Sequence, residues 1–139
     1  MATLFSKTRD NKLSIEFDPF QFSESKAADD KEWIRGNLLF ENASFSAAIN
    51  NQPQFYLSQL KKLIADLEKI LAQNQGEVDY SGMEPYLNLT ISLTNTGSAN
   101  IEGTITDLDN QSGKLSFIFE SDQSCLRAFA EELRRELVV

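Results

Sequence analysis

The sequence predicts an α+β fold, in which an antiparallel β-sheet of about seven to eight strands carries two amphipathic helices packed on one face. Two segments, at about residues 53–75 and 123–138, repeat their apolar residues with the period of an α-helix. A third segment, residues 87–94, alternates apolar and polar residues with the period of a β-strand. Such alternation leaves one face of a sheet apolar, and the two helices are the elements available to cover it.

The first helix is predicted from a stripe of apolar residues that faces a polar surface. The stripe consists of Tyr56, Leu60, Leu63, Ile64, Leu67, Ile70 and Leu71. Pro53 suits the first turn, because the amide hydrogen that proline lacks would have no partner within the helix there. Gly76 suits the left-handed residue that follows the end of a helix. We therefore expect a helix over about residues 53–75.

The second helix is predicted over about residues 123–138. Its apolar stripe consists of Leu126, Phe129, Ala130, Leu133 and Leu137. Ser121 or Asp122 can accept hydrogen bonds from the free amides of the first turn. The negative charge of Asp122 also suits the positive end of the helix.

Three consecutive strands are predicted between the helices, at residues 87–94, 101–106 and 115–119. Polar turn residues separate them at 95–98 and 107–113, so the strands form an antiparallel meander. The residues expected on the core side are Leu87, Leu89, Ile91, Leu93, Ile101, Gly103, Ile105, Leu115, Phe117 and Phe119. Glycines inside strand patterns, here Gly36 and Gly103, indicate bulges or close packing.

The first half of the chain repeats these signals in a weaker form. Residues 13–17 alternate, and residues 33–40 and 43–49 are also strand-like. Residues 18–32 are predicted to form a loop, which at this length is unusual enough to be flexible or functional. Strands followed by a helix, twice in succession, suggest a duplication, although no repeat of individual residues accompanies it.

Length and composition predict one globular domain over residues 1–139, since 139 residues with 41% hydrophobic content bury one sizeable core. The N-terminal residues lack the apolar stretch of a secretory signal, and no run is long enough to span a bilayer. Cys125 is the single cysteine, so no intrachain disulfide can form. These features together predict a soluble protein of the cytoplasm.

The net charge is −8, which disfavours binding to nucleic acid or to an anionic membrane and favours a protein partner with a basic surface. The alternative is that the charge only keeps the protein in solution. The oligomeric state stays open.

Catalytic, cofactor-binding and metal-binding residues are not predicted. The sequence contains no histidine, which removes the commonest general base and every Ser-His or Cys-His nucleophile. Cys125 alone cannot form a zinc site, although its place near a helix start makes a reactive thiol conceivable. Residues 107–113 fail as a calcium loop, because glycine is not the sixth residue and Ile118 stands at the twelfth position. The six glycines are scattered, so no phosphate-binding loop is present. Catalysis by a pair of carboxylates is the enzymatic possibility that stays open.

Candidate partner-binding residues are the acidic side chains of the long loop and of the last hairpin turn, together with an aromatic residue at the loop border. They are Asp18, Glu24, Asp29, Asp30, Glu32, Trp33, Asp107 and Asp109. Trp33 and Phe20 are either exposed anchors of an interface or ordinary buried aromatics. For the acidic residues, the alternative is a solvated rim without a partner.

The second half of the chain resembles the small bacterial immunity proteins of the WapI type and their uncharacterised relatives. The resemblance covers residues 50–138, and the first half is similar only through Trp33 and the strand at Phe45-Ser46. The residues that carry it are Phe55, Leu60, Leu63 and Leu67 of the first helix, Gly76, Glu84, Leu87-Asn88-Leu89, Asn100-Ile101-Glu102-Gly103, Leu115–Phe119 and Asp122-Gln123-Ser124.

The resemblance implies a protein that protects a cell by binding the toxic C-terminal domain of a contact-delivered protein, often a nuclease. A nuclease presents a positive surface to its substrate, and an acidic protein can occupy that surface. A carboxylate-based hydrolase and a structural or assembly subunit are the alternatives. A deep cleft that holds two carboxylates would favour the hydrolase. A large exposed apolar patch would favour the structural or assembly subunit.

Overall fold

A computed structural model describes residues 1–17, 33–82, 84–111 and 113–137. The described part contains antiparallel strands and two helices, which confirms the predicted α+β class. The strands are β1 (Ala2–Phe5), β2 (Lys12–Phe17), β3 (Trp33–Glu41), β4 (Ser46–Tyr56), β5 (Gly76–Ser81), β6 (Leu87–Leu93), β7 (Ser98–Thr106) and β8 (Lys114–Asp122), and the helices are α1 (Leu57–Gln73) and α2 (Gln123–Leu137).

The described strands form two four-stranded antiparallel sheets, where the sequence pattern indicated one continuous sheet. The first sheet has the order β1-β2-β3-β4 and is followed by α1, and the second has the order β5-β6-β7-β8 and is followed by α2. Each strand pairs with its neighbour in the chain, so each sheet is a simple meander. The order of four strands and one helix therefore occurs twice.

Helix α1 begins at Leu57, later than the predicted start at residue 53. Residue 53 belongs to β4, which runs on to Tyr56 and pairs with β3 through Ile34↔Phe55 and Trp33↔Tyr56. Phe55 is 1% exposed, and its ring packs edge-on against Phe17 with centroids 5.2 Å apart. Tertiary burial of Phe55 in the sheet thus extends the strand across residues that are compatible with a helix.

The end of α1 also differs from the prediction. Asn74, not Gly76, adopts the left-handed conformation, with φ 59°, and its backbone N–H donates to the Ile70 carbonyl. Gly76 instead opens β5 with φ 137°, a conformation that side chains rarely adopt. Asparagine tolerates the left-handed region because its short polar side chain adds little steric conflict there.

Helix α2 confirms its predicted span and its predicted cap. The Asp122 carboxylate accepts a hydrogen bond of 2.8 Å from the backbone N–H of Cys125, which satisfies one free amide of the first turn. The buried stripe consists of Leu126, Phe129, Ala130 and Leu133, and Leu137 is partly buried. No helix among the described residues is long and apolar enough to cross a bilayer.

The strict alternation predicted for residues 87–93 is confirmed in β6, where every second side chain is buried. The sequence pattern did not locate β1 or β5. Strand β1 has only four residues. Strand β5 buries only Val78 and Tyr80, so neither segment carries a long alternating run.

A single cluster of buried side chains includes residues of both sheets and both helices. Phe40 of β3 stacks on Phe117 of β8 with centroids 4.5 Å apart, and this pair joins the two sheets. The backbone N–H of Lys7 donates to the Glu120 carbonyl at 2.9 Å, and the Ser121 hydroxyl donates to the Phe5 carbonyl at 2.7 Å. These contacts therefore fix the position of the second sheet, including its outer surface, relative to the first sheet.

Candidate functional site

Five of the predicted partner-binding residues, and Phe20 beside them, lie outside the described residues. The five are Asp18, Glu24, Asp29, Asp30 and Glu32. The remaining three are described, and they lie in different sheets: Trp33 opens β3 of the first sheet, whereas Asp107 and Asp109 lie in the turn between β7 and β8.

Asp107 and Asp109 both have hydrogen-bond partners within the fold. The Asp107 carboxylate accepts from the backbone N–H of Asn110 at 3.2 Å and from its side-chain amide at 3.3 Å. The Asp109 carboxylate accepts from the Tyr86 hydroxyl at 2.7 Å. Burial of Tyr86, together with the hydrogen bond to Asp109 and the nearby negative charges, raises the pKa of Tyr86 to about 12. These two carboxylates therefore organise the turn, whatever else they contact.

Trp33 is half-buried and packs edge-on against Tyr56, with ring centroids 5.2 Å apart and an interplanar angle of 77°. The sequence left open whether Trp33 is an exposed anchor or a buried aromatic residue. Its position combines the two, because part of the ring packs in the fold and part faces outward. An aromatic pair of this kind contributes to stability whether or not a partner binds.

The second sheet has an outer surface that the sequence analysis did not single out, which we call the acidic face. The strand pairing places twelve outward side chains in three rows across the sheet. The rows are Ser81-Asn88-Thr104-Ser116, Asp79-Thr90-Glu102-Ile118 and Glu77-Ser92-Asn100-Glu120.

Four of the twelve side chains of the acidic face are carboxylates, and none of the twelve is a lysine or an arginine. Strands in a sheet lie about 4.8 Å apart, so Asp79 and Glu102, with Thr90 between them, are separated by roughly 10 Å. The nearest described cations lie at the margin. Lys7 forms an ion pair of 3.1 Å with Glu120, and Lys114 is the first residue of β8. The centre of this face is consequently negative.

Hydrogen bonds hold three of the four carboxylates of the acidic face in place. Thr90 donates to Asp79 at 2.9 Å, and Ser92 donates to Glu77 at 3.3 Å. Ser98 and Lys7 both donate to Glu120, and these interactions, with Lys7 the larger influence, lower the pKa of the Glu120 carboxyl. An ionised carboxylate offers about four acceptor positions, so each of these groups retains capacity for a further donor.

A shallow depression of about 460 Å³ occupies the middle of the acidic face. Its lining includes Thr90, Glu102, Thr104 and Ile118. Ile118 is 63% exposed, which makes it one of the three large hydrophobic residues that are exposed among those described. The depression thus combines a carboxylate, small hydroxyls and one apolar side chain on a rigid sheet.

Gly103 lies in the lining of the depression and is closely packed, as the sequence pattern predicted. A Cβ atom on Gly103 would lie 2.5 Å from the Phe117 ring and 2.8 Å from the backbone oxygen of Asn88. Gly36 likewise lies where the pairing of β3 and β4 is irregular, and its backbone approaches Glu16 closely. At both glycines, neighbouring groups approach the backbone more closely than any side chain would permit.

The described residues give no support to the chemical alternatives. Among them, no group of three or more histidine, cysteine, aspartate or glutamate side chains could hold a metal ion. Hydrogen bonds lower the pKa of Asp10 and Asp122, and Lys7 lowers that of Glu120. A general acid needs the opposite shift. Burial, followed by the neighbouring Asp122, raises the pKa of the Cys125 thiol, so its surroundings do not favour a reactive thiolate.

The acidic face was missed because its signal is distributed over four strands. The alternation in residues 87–94 does predict that their polar side chains face solvent. Grouping Asp79, Glu102 and Glu120 on one surface needs the register of β5, β7 and β8 as well. That register depends on turn geometry and on which residues are buried, not on a local motif.

Comparison with known proteins supplies the family. Comparisons with curated proteins and with solved structures found no match to the chain. The family model described as the immunity protein WapI-like family matches residues 4–138. This match extends through the first half of the chain, where the resemblance in the sequence was loose. The chain therefore belongs to the WapI-like immunity protein family.

Proposed function

We propose that this protein is an immunity protein that neutralises a toxic, nuclease-like domain by binding it and covering a basic surface. Membership of the WapI-like immunity protein family is the observation that carries the proposal. The net charge of −8 supports it, because an acidic protein is attracted to the positive surface with which a nuclease holds its substrate.

Occlusion requires no chemistry from this chain. A bound protein that covers the substrate site excludes nucleic acid by steric overlap and by negative charge. Opposite charges also accelerate the encounter, so association is fast at low ionic strength and slows as salt is added. Fast capture suits a toxin that acts catalytically once it is free.

The test is coexpression with the C-terminal domain of the contact-delivered protein encoded beside this gene. We expect cells that express the toxic domain alone to stop growing and cells that express both proteins to survive. We also expect the two purified proteins to elute together in size-exclusion chromatography, with an affinity that falls as salt rises. Survival should depend on the amount of this protein relative to the toxic domain. Absence of both a complex and protection would refute the proposed function.

We further propose that the acidic residues of segment 18–32 contact the partner. They are Asp18, Glu24, Asp29, Asp30 and Glu32. Conversion of Asp29 and Asp30 together to asparagine preserves size while removing two charges. The expected result is slower association with an unchanged melting temperature, because charges at the edge of an interface act mainly on the association rate. An unchanged association rate would contradict these contacts.

A further inference from the structure

We infer that the acidic face of the second sheet is a docking surface for the toxic domain, and that its occupant is a positively charged protein surface with at least two lysine or arginine side chains. The inference rests on the proposed function and deepens it by naming the surface and the contacting residues. The central contacts are Asp79, Glu102 and Ile118, which share one row across the sheet.

The acidic face is accessible. None of its twelve side chains is buried, and the eight exposed ones include Glu77, Asp79, Glu102 and Ile118. The opposite side of the same sheet carries the buried residues of β5 to β8, which join the core with both helices. The four-stranded sheet thus has one face in the core and one that presents side chains outward, as antiparallel sheets allow.

The two carboxylates at the centre of this face, Asp79 and Glu102, form no ion pair among the described residues. The Glu102 side chain forms no hydrogen bond or ion pair with any residue in the described part of the chain, and Glu102 lies next to Ile118 in the strand pairing. Glu77 and Asp79 lie two residues apart on one strand, roughly 7 Å from each other. Negative charges this close repel, so a partner that brings positive charge to the face relieves repulsion as well as forming ion pairs. This complementarity identifies the occupant as basic.

Three of the four carboxylates on this face are already oriented. Thr90 and Ser92 of the central strand β6 hold Asp79 and Glu77 of the edge strand β5. Side chains that are held before binding lose less conformational entropy when a partner arrives. A lysine or arginine that enters between Asp79 and Glu102 therefore meets one carboxylate that Thr90 holds in place and one that can adjust to it, on strands roughly 10 Å apart.

Ile118 adds an apolar contact to the charged contacts of this face. Ile118 belongs to the edge strand β8 and borders the shallow depression. An apolar side chain of the partner can therefore contact Ile118 and also enter the depression. Binding energy in protein interfaces concentrates in a few central residues that are surrounded by polar ones. The row Asp79-Thr90-Glu102-Ile118 has this composition. Because an interface covers about 800 Å² of each partner, the row is its centre and the flanking rows contribute to its rim.

Two pairs of matched variants test the docking surface against the toxic domain encoded beside the gene. Glu102→Lys changes the acidic face, and Glu131→Lys makes the same charge change at an exposed position on α2. Ile118→Ala removes the apolar contact, and Phe45→Ala truncates a hydrophobic residue of similar exposure, 61%, in the first sheet's last turn. All four positions are exposed, so thermal melting should show four folded proteins.

We expect Glu102→Lys to weaken binding at least about tenfold and to reduce its salt dependence, because a cation then faces the partner's cations. Ile118→Ala should weaken binding by roughly tenfold without changing the salt dependence. Glu131→Lys and Phe45→Ala should bind like the wild type. Nuclear magnetic resonance of the complex should show its largest backbone shifts in β5 to β8.

The outcomes distinguish failure of the docking surface from failure of the proposed function. If both Glu102→Lys and Ile118→Ala bound as tightly as the wild type and still protected cells, the docking surface would be overturned. The proposed function would then remain intact. Equal loss in the Glu131→Lys control would overturn it too, because the effect would then follow net charge and not location. No binding by the wild-type protein would contradict the function and the docking surface together.

Discussion

Phe40 and Phe117 stack almost in parallel, with ring centroids 4.5 Å apart and an interplanar angle of 8°, and they belong to different sheets. Phe40 is 2% exposed and Phe117 is 8% exposed. Phe119 lies beside both rings, at 6.3 Å from Phe40 and 6.1 Å from Phe117. The three rings connect the two meanders at the back of the acidic face.

Truncation of this contact should destabilise the whole protein. Phe40→Ala is expected to lower the free energy of unfolding by about 3–5 kcal/mol, because it removes apolar contacts and leaves a cavity. Phe45→Ala is the control, since Phe45 is 61% exposed and its truncation should change stability by less than about 0.5 kcal/mol. Urea denaturation measures both. A similar midpoint for the two variants would show that the ring stack contributes little.

The close approach of Gly103 to Phe117 gives a second prediction. Gly103→Ala should destabilise by about 1–3 kcal/mol, because the new methyl group would overlap the Phe117 ring and the Asn88 carbonyl. Gly113→Ala is the control, because among the described residues no atom beyond its chain neighbours lies within 4 Å of the position its Cβ would occupy. Thermal melting of the two variants should differ clearly. Equal melting temperatures would mean that the ring moves aside without cost.

The Asp122 cap predicts a dependence on pH. The hydrogen bond from the Cys125 amide lowers the pKa of the Asp122 carboxyl below its ordinary value of 3.8. The charged cap therefore stabilises the folded state above pH 3.8, and this contribution is lost as the pH falls through the lowered pKa. Asp122→Ala should cost about 0.5–2 kcal/mol at neutral pH.

Urea denaturation across the acidic range measures the contribution of the cap. The difference between wild type and Asp122→Ala should narrow as the carboxyl becomes protonated. Glu131→Ala, at an exposed position on the same helix, is the control and should differ from wild type by less than about 0.5 kcal/mol at neutral pH. A difference between wild type and Asp122→Ala that stays constant down to the lowest pH would contradict a charged cap.

The hydrogen bond between Tyr86 and Asp109 predicts a change in alkaline solution. The pKa of Tyr86 is raised to about 12, so the folded state favours the neutral phenol. Stability from this group is present below pH 10 and is lost as the pH rises from 10 towards about 12. Tyr86→Phe should remove that loss and should cost about 0.5–1.5 kcal/mol at neutral pH.

Tyr80→Phe is the comparison for Tyr86→Phe. The Tyr80 hydroxyl is buried and has no hydrogen-bond partner among the described residues, so its removal should be neutral or slightly stabilising at neutral pH. Tyrosinate absorbance during alkaline titration follows ionisation, and denaturation at each pH follows stability. If Tyr80→Phe were as destabilising at neutral pH as Tyr86→Phe, the bond to Asp109 would not be the cause.

The elements that sequence predicts best here are those whose burial pattern is local. Strand β6 alternates without exception, and α2 has both a complete apolar stripe and a capping carboxylate. The start of α1 was misplaced because long-range pairing with β3 decides whether residues 53–56 form strand or helix. Neighbouring residues along the chain do not contain that information.

The candidate site was predictable only in its chemistry. Net charge indicated a basic partner, and the structure places Asp107 and Asp109 in a turn that they hydrogen-bond internally. The acidic face depends on side chains from four strands, and a shift of one residue in any pairing would turn that strand's polar side chains inward. Composition can thus suggest the sign of a partner, whereas the location needs the register.

The contact between β1 and α2, which lie far apart in the sequence, has a consequence for biosynthesis. The backbone N–H of Thr3 in β1 donates to the Glu132 carboxylate on α2, and Phe129 and Leu133 of α2 are fully buried. Until the ribosome has released residues 123–137, β1 lacks this covering and the core stays open along one side. The nascent first half is thus an incomplete domain until α2 has been made, and it exposes apolar surface during that time. The core closes only when α2 docks against β1.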